Sequence, residues 1–195
     1  MTTAPTLFDT EAPAATTAAG PRPLIIGLDL SLRSTGVAGE GWTDHIRTTR
    51  TGDARLAYLE EAIATFIRNA DMVVMEGPSF GHANLAGHED MAGLRVLVRR
   101  YCFRHQIPYG VVPPSSLKLY VAGYGKASKG EVRSAVADRY GVHTEGTARY
   151  DEADAYAALA AACDWWGAAL AEVPDRQRKA LDGCQWPDRE AVTAR

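Results

Sequence analysis

LIIGLDLSLRSTGVAGEGWTDHIRTT, residues 24–49, is the stretch that decides the fold. Residues 24–30 are almost continuously apolar, as expected for a strand buried on both faces. Residues 34–39 and 42–49 carry β-forming side chains around Gly-Glu-Gly, which predicts a hairpin. Three strands therefore follow one another before any helix, and they are expected to run antiparallel. One residue breaks the apolar run: Asp29. A carboxylate there is costly to bury unless it is paired or metal-bound, although by itself it also fits an acid that starts a turn before Ser31.

Downstream the period of the apolar residues changes. Leu56, Leu59, Ile63, Phe66 and Ile67 follow helical spacing, and residues 72–75 read as a short buried strand. A helix and a returning strand imply a parallel crossover. A second helix begins near Met91, with Leu94, Leu97, Val98, Tyr101 and Cys102 in phase. Residues 107–112 are the fifth strand, closed by Pro113-Pro114. A short helix is predicted over 115–122. Ser128 and Glu131 form a capping box for another helix that runs to Tyr140. The last long helix is predicted over 151–172, and its alanines suit close packing on a sheet. Residues 1–22, rich in Ala, Thr and Pro, read as a disordered leader. Residues 23–172 make one domain, and 173–195 make a polar, loosely held tail.

Within DEADAYAALAAA (151–162), Asp151 and Asp154 stand three apart, so on a helix both carboxylates share a face. Like charges held together repel unless a cation neutralises them. Glu76 ends the fourth strand, as Asp29 ends the first. These four acids, brought together, would form a hard-cation site suited to phosphodiester chemistry. Two more also have a plainer reading, a strand-end acid for Glu76 and a helix N-cap for Asp151, whereas Asp154, beside Ala153, Ala155 and Ala157 on a tightly packed helix, is harder to dismiss. Glu152 falls on another face and is expected to be a bystander.

The 195 residues carry a net charge of −3, unevenly spread. Residues 92–139 hold nine Lys/Arg against two Asp/Glu, a local balance of +7, which leaves −10 elsewhere. A basic surface beside an acidic cluster suits a protein that grips phosphates, though a solvated charged helix face is the common alternative. Three cysteines without CxxC spacing suggest reduced thiols in a cytoplasmic protein. There is neither a membrane-length apolar run nor a secretory signal pattern.

The chain resembles the RuvC-type Holliday-junction resolvases over residues 24–162. The matching segments are LIIGLDLSLRSTGVA, VVMEGPSFG, the helix around GLRVLVRRYC, VVPPSSLKLYVAGYGKASKGEV and DEADAYAALA, in that order. The resemblance implies an α/β, ribonuclease H-like fold with a five-stranded mixed sheet flanked by helices, three strands antiparallel and then two parallel. It also implies an endodeoxyribonuclease that resolves four-way DNA junctions by paired symmetric nicks, leaving 5′-phosphate and 3′-hydroxyl ends. Asp29, Glu76, Asp151 and Asp154 match the family's metal-binding acids. Two Mg²⁺ ions per site are implied, with Mn²⁺ able to substitute. Lys118 and Lys129 match basic positions near the scissile phosphate, and Lys126 is a further candidate phosphate contact.

An aromatic wedge is expected just after the fourth-strand acid, but Phe80 stands one position later than the family pattern. His82, His88 and His143 read as loop histidines. Arg95, Arg99, Arg100 and Arg104 give the second helix a basic flank, with Arg99 and Arg100 as candidate DNA contacts. That helix is the family's dimer element, so a homodimer is expected. Leu94, Leu97, Val98 and Tyr101 are available for either that contact or the core. Recombination or branch-migration partners are possible but carry no signature. The alternatives are a nuclease acting on RNA or other branched DNA, a sugar-kinase or actin-like ATPase suggested by GLDLSLRSTG, and an inactive DNA-binding module.

Overall fold

The computed structural model describes residues 22–78 and 87–193. Phe80, His82 and residues 1–21 of the expected leader therefore lie outside the described residues. Five strands, β1 (Ile25–Asp29), β2 (Ser34–Gly39), β3 (Trp42–Arg47), β4 (Met72–Glu76) and β5 (Tyr109–Val112), form one sheet in the order β3-β2-β1-β4-β5. β1, β2 and β3 pair antiparallel, while β4 and β5 pair parallel to β1 and to each other. This is the mixed, ribonuclease H-like sheet that the residue pattern predicted.

Helices α1 (Gly52–Ile67) and α2 (His88–Arg104) cover one face. Helices α3 (Pro114–Ala122), α4 (Lys129–Tyr140) and α5 (Arg149–Trp166) cover the other. Strand alternation divides the core between them. Ile26, Leu28, Val73 and Met75 join the α1/α2 side, whereas Ile25, Met72 and Val74 join the α5 side. The capping box at α4 is present, with the Ser128 side chain accepting from the Glu131 N–H and Glu131 accepting from the Ser128 N–H.

Three expectations need correction. Helix α5 stops at Trp166 rather than at 172, because Gly167 adopts φ +98°, a left-handed conformation that ends a helix at little cost. Asp151 is not the helix N-cap; that position is Ala148, and Asp151 lies within the first turn. The C-terminal segment is not loosely held. Val173, Leu181 and Val192 are buried, Gln185 bridges Val111 of β5, and Trp186 stacks on Trp165 with centroids 4.9 Å apart. Arg178 anchors the segment further, donating to Asp164 at 2.9 Å. Its few apolar residues act singly as plugs, a pattern with no period to detect.

Candidate active site

The register of β1 and β4 begins the site. Ile25, Ile26, Gly27 and Leu28 stand beside Met72, Val73, Val74 and Met75. One step further places Asp29 beside Glu76, at the C-terminal ends of neighbouring parallel strands. Both follow the alternation of Ile25 and Met72, so both turn toward the face that α5 covers. After Asp29 the chain is fixed in a tight turn. The buried Thr35 hydroxyl donates to the Ser31 carbonyl at 2.8 Å and accepts from the Ser31 N–H at 3.1 Å.

Helix α5 supplies the other two acids, and small residues let it come close enough. A Cβ on Gly36 would lie 2.0 Å from the Asp151 carbonyl oxygen. One on Gly27 would lie 2.3 Å from the Ala155 carbonyl oxygen. Only glycine permits such an approach, and the buried run of Ala153, Ala155, Ala157 and Ala158 removes bulk from the helix side. The first turns of α5 thereby bring Asp151 and Asp154 to the Asp29 end of the sheet.

Electrostatics shows how closely the groups gather. Burial is the main cause that lifts the Asp29 carboxyl well above its ordinary value, followed by the charges of Glu76 and Asp154. Burial and then Asp154 also raise Glu76. Asp29 and Glu76 are within hydrogen-bonding reach, an arrangement that favours the proton on Asp29. Burial raises Asp154 too, against the pull of Lys129. Lys129, at the start of α4, forms ion pairs of 3.3 Å with Asp151 Oδ1 and 3.3 Å with Asp154 Oδ2. Burial works against its charge, yet Asp154, Asp29 and Asp151 together hold its pKa above the lysine norm. Lys118 contributes positive field at Glu76 and Asp154.

Four oxygen-ligand acids facing one close ammonium are short of positive charge, and the donor set is one that hard divalent cations favour. Among the described residues, no three or more His, Cys, Asp or Glu are spaced to hold a metal ion directly. In this arrangement the Lys129 ammonium bridges Asp151 and Asp154. The deficit of positive charge and the burial of Asp29 suit the chemistry of a cation site.

Other expectations divide. Arg95, expected only as part of a basic flank, lies within electrostatic reach of the acids: burial lowers its pKa, against the opposing pull of Glu76 and Asp29. Its Nε is buried without a hydrogen-bond partner among the described residues. Spacing four from Arg99 hinted at a shared face, but nothing in the chain order pointed to Glu76. Arg99 and Arg100 are exposed on α2. Leu94 and Val98 belong to the core, at 0% and 1% exposure, which removes them from any dimer surface; Phe103 is 82% exposed. Glu152 lies apart from the four acids, as expected, and has a structural task instead. It accepts from the Thr43 hydroxyl at 3.0 Å and from His45 Nδ1 at 2.7 Å, tying α5 to β3. Lys126 makes no ion pair among the described residues, and His88 opens α2.

No family model matches the chain, and no curated protein matches it. Solved structures do. A Thermus thermophilus RuvC structure superposes with a TM-score of 0.58 at 19% identity, covering 77% of this chain and 99% of that one. T. thermophilus RuvC in complex with Holliday junction substrate gives a TM-score of 0.59 at 18% identity, covering 78% and 100%. The fold is thus that of RuvC.

Proposed function

We propose that this protein is a metal-dependent, structure-selective endodeoxyribonuclease that resolves four-way DNA junctions. The observation that carries the reading is the gathering of Asp29, Glu76, Asp151 and Asp154 with Lys129 at one end of a RuvC-like sheet. The fold likeness to a RuvC bound to a Holliday junction supports the choice of substrate.

In this reading the four acids hold two Mg²⁺ ions, or Mn²⁺ in their place. Bound there, the cations supply the charge neutralisation and water activation that phosphodiester hydrolysis requires. The chain's own residues do the rest. Asp29 and Glu76, at the ends of neighbouring strands, would serve as anionic ligands, and burial raises the pKa of both. Lys129, which pairs with Asp151 and Asp154, would offer its ammonium to the non-bridging oxygens of the scissile phosphate, where negative charge develops. Lys118 and Arg95 add positive field at the same place, and Lys126, Arg99 and Arg100 grip the backbone farther out. Products carry 5′-phosphate and 3′-hydroxyl ends. Phe80 is the proposed wedge at the crossover. A homodimer places two sites for paired nicks.

The test is incubation with a synthetic mobile four-way junction and Mg²⁺, beside an EDTA control. Symmetric nicks that vanish with EDTA are expected. Cutting confined to RNA would replace the substrate class. ATP hydrolysis with no cutting of any nucleic acid would favour the kinase-like alternative.

A further inference from the structure

A second concentration of charge lies at the same end of the sheet as the acids, outside the basic stretch of residues 92–139. Arg33, Arg47, Arg50 and Arg55 line a cleft of about 720 Å³, together with Thr51 and Tyr58. The cleft is assembled by three pieces of chain. Arg33 sits in the β1–β2 connection, four residues beyond Asp29, and Arg47 ends β3. Arg50 and Thr51 lead into α1, whose first turns carry Arg55 and Tyr58.

These guanidinium groups are held together with little to neutralise them. Arg50 lies over the Tyr58 ring at 4.4 Å, and Arg55 Nε donates to the Arg50 carbonyl at 2.7 Å. Arg47 donates to the Thr147 hydroxyl. Among the described residues one ion pair occurs across the set, a long one of 3.9 Å between Arg55 and Asp90. Arg33 and Arg50 make none, and no carboxylate lines the cleft, among the described residues. The 16-residue helix α1 also starts here with an extended Thr51 N-cap whose side chain makes no capping hydrogen bond. Its leading N–H groups add to the positive field, which Asp53 in the same turn offsets only in part against four arginines. Four arginines scattered over a convex surface would be explained by solvation alone. Converging on one cleft beside an uncapped helix start, they repel each other unless an anion is shared.

We infer that this cleft binds backbone phosphates of the DNA arm flanking the scissile position. The inference rests on the nuclease reading above. Sheet register supports it. Asp29 pairs with Gly36, and Ser34 with Arg47, so the cleft and the acids lie at the same end of the strands. β3 lies two strands from β1, a lateral offset of ~10 Å, or about three base steps of duplex rise. A duplex crossing that end meets the acids and then the arginines.

The experiment measures equilibrium binding of a four-way DNA junction to the full chain across a salt titration. All proteins carry Asp154→Asn, so that binding is read without cutting. Arg33→Ala/Arg50→Ala should weaken binding roughly tenfold and lower the salt slope by about two, one per lost contact. Arg33→Lys/Arg50→Lys should restore most of the slope, since charge is kept. Arg68→Ala, at the far end of α1, should change neither quantity. Thermal melts establish that each variant is folded. An alanine pair with unchanged affinity and slope overturns the inference, as does an equal loss from Arg68→Ala. A loss seen with an RNA duplex but not with DNA overturns the assignment to a DNA arm. If the chain without substitutions cuts junctions while the alanine pair binds normally, only this inference fails. Should it bind no nucleic acid at all, both readings fail.

Discussion

The two faces of the sheet are packed by opposite rules. On the α1/α2 face, Ile26, Leu28, Val37, Leu59, Ile63 and Leu94 interlock as bulky aliphatics with almost no exposure. On the α5 face, Gly27 and Gly36 meet a helix of buried alanines at near-contact distances. The first face gains stability from apolar volume removed from water. The second gains nearness: a helix that lies flat on the strands carries its acidic first turn to Asp29. Both faces are core, and side-chain volume decides which of them also brings a helix near enough to wall a site.

The most damaging way to break this contrast is to add bulk on the thin side. Gly27→Val should destabilise by about 4 kcal/mol or more, because backbone of α5 blocks the new atoms and cannot yield as a side chain could. A chemical melt reads the loss; a cost below about 1 kcal/mol would mean that α5 slides freely. Removing bulk from the thick side should cost somewhat less. Leu59→Ala is expected to lose about 3 kcal/mol while keeping the melting response to Mg²⁺, since the acids are untouched. Glu152→Ala breaks the links to Thr43 and His45 and should cost about 1–2 kcal/mol, seen in the same melts.

The smallest change runs the other way. Asp29→Asn should stabilise the metal-free protein at neutral pH by about 1 kcal/mol, at the expense of junction cutting. The sign follows from proton binding. Asp29, Glu76 and Asp154 hold protons more tightly folded than unfolded. Their contribution is therefore present below the unfolded carboxylate value of about 4 and is lost as pH rises through the raised folded values. Metal-free protein should melt higher at mildly acidic than at neutral pH, and Asp29→Asn should flatten that slope. A steeper slope in the variant would contradict the assignment.

Much of this was legible in the sequence because strand and helix periods are local. Asp29 and Glu76 could be placed at strand ends, and Asp151 and Asp154 on one helical face, from spacing alone. What stayed hidden depended on register and on contacts between distant segments. Arg95 comes within electrostatic reach of the acids only once α2 is docked beside β4. Glu152 becomes a tie only when β3 lies under α5, and the cleft arginines converge only after the hairpin and α1 meet. The tail escaped notice because Val173, Leu181, Trp186 and Val192 fill separate gaps, which leaves no repeating pattern.

Calorimetric titration of Mg²⁺ into the metal-free protein at two pH values tests the central claim most directly. The gathered carboxylates predict saturable binding with proton release that grows at the lower pH, as the cation displaces the proton held by Asp29. They also predict that Asp29→Asn/Asp154→Asn loses the isotherm while remaining folded. An unchanged isotherm in that double variant would show that the four acids are not one site.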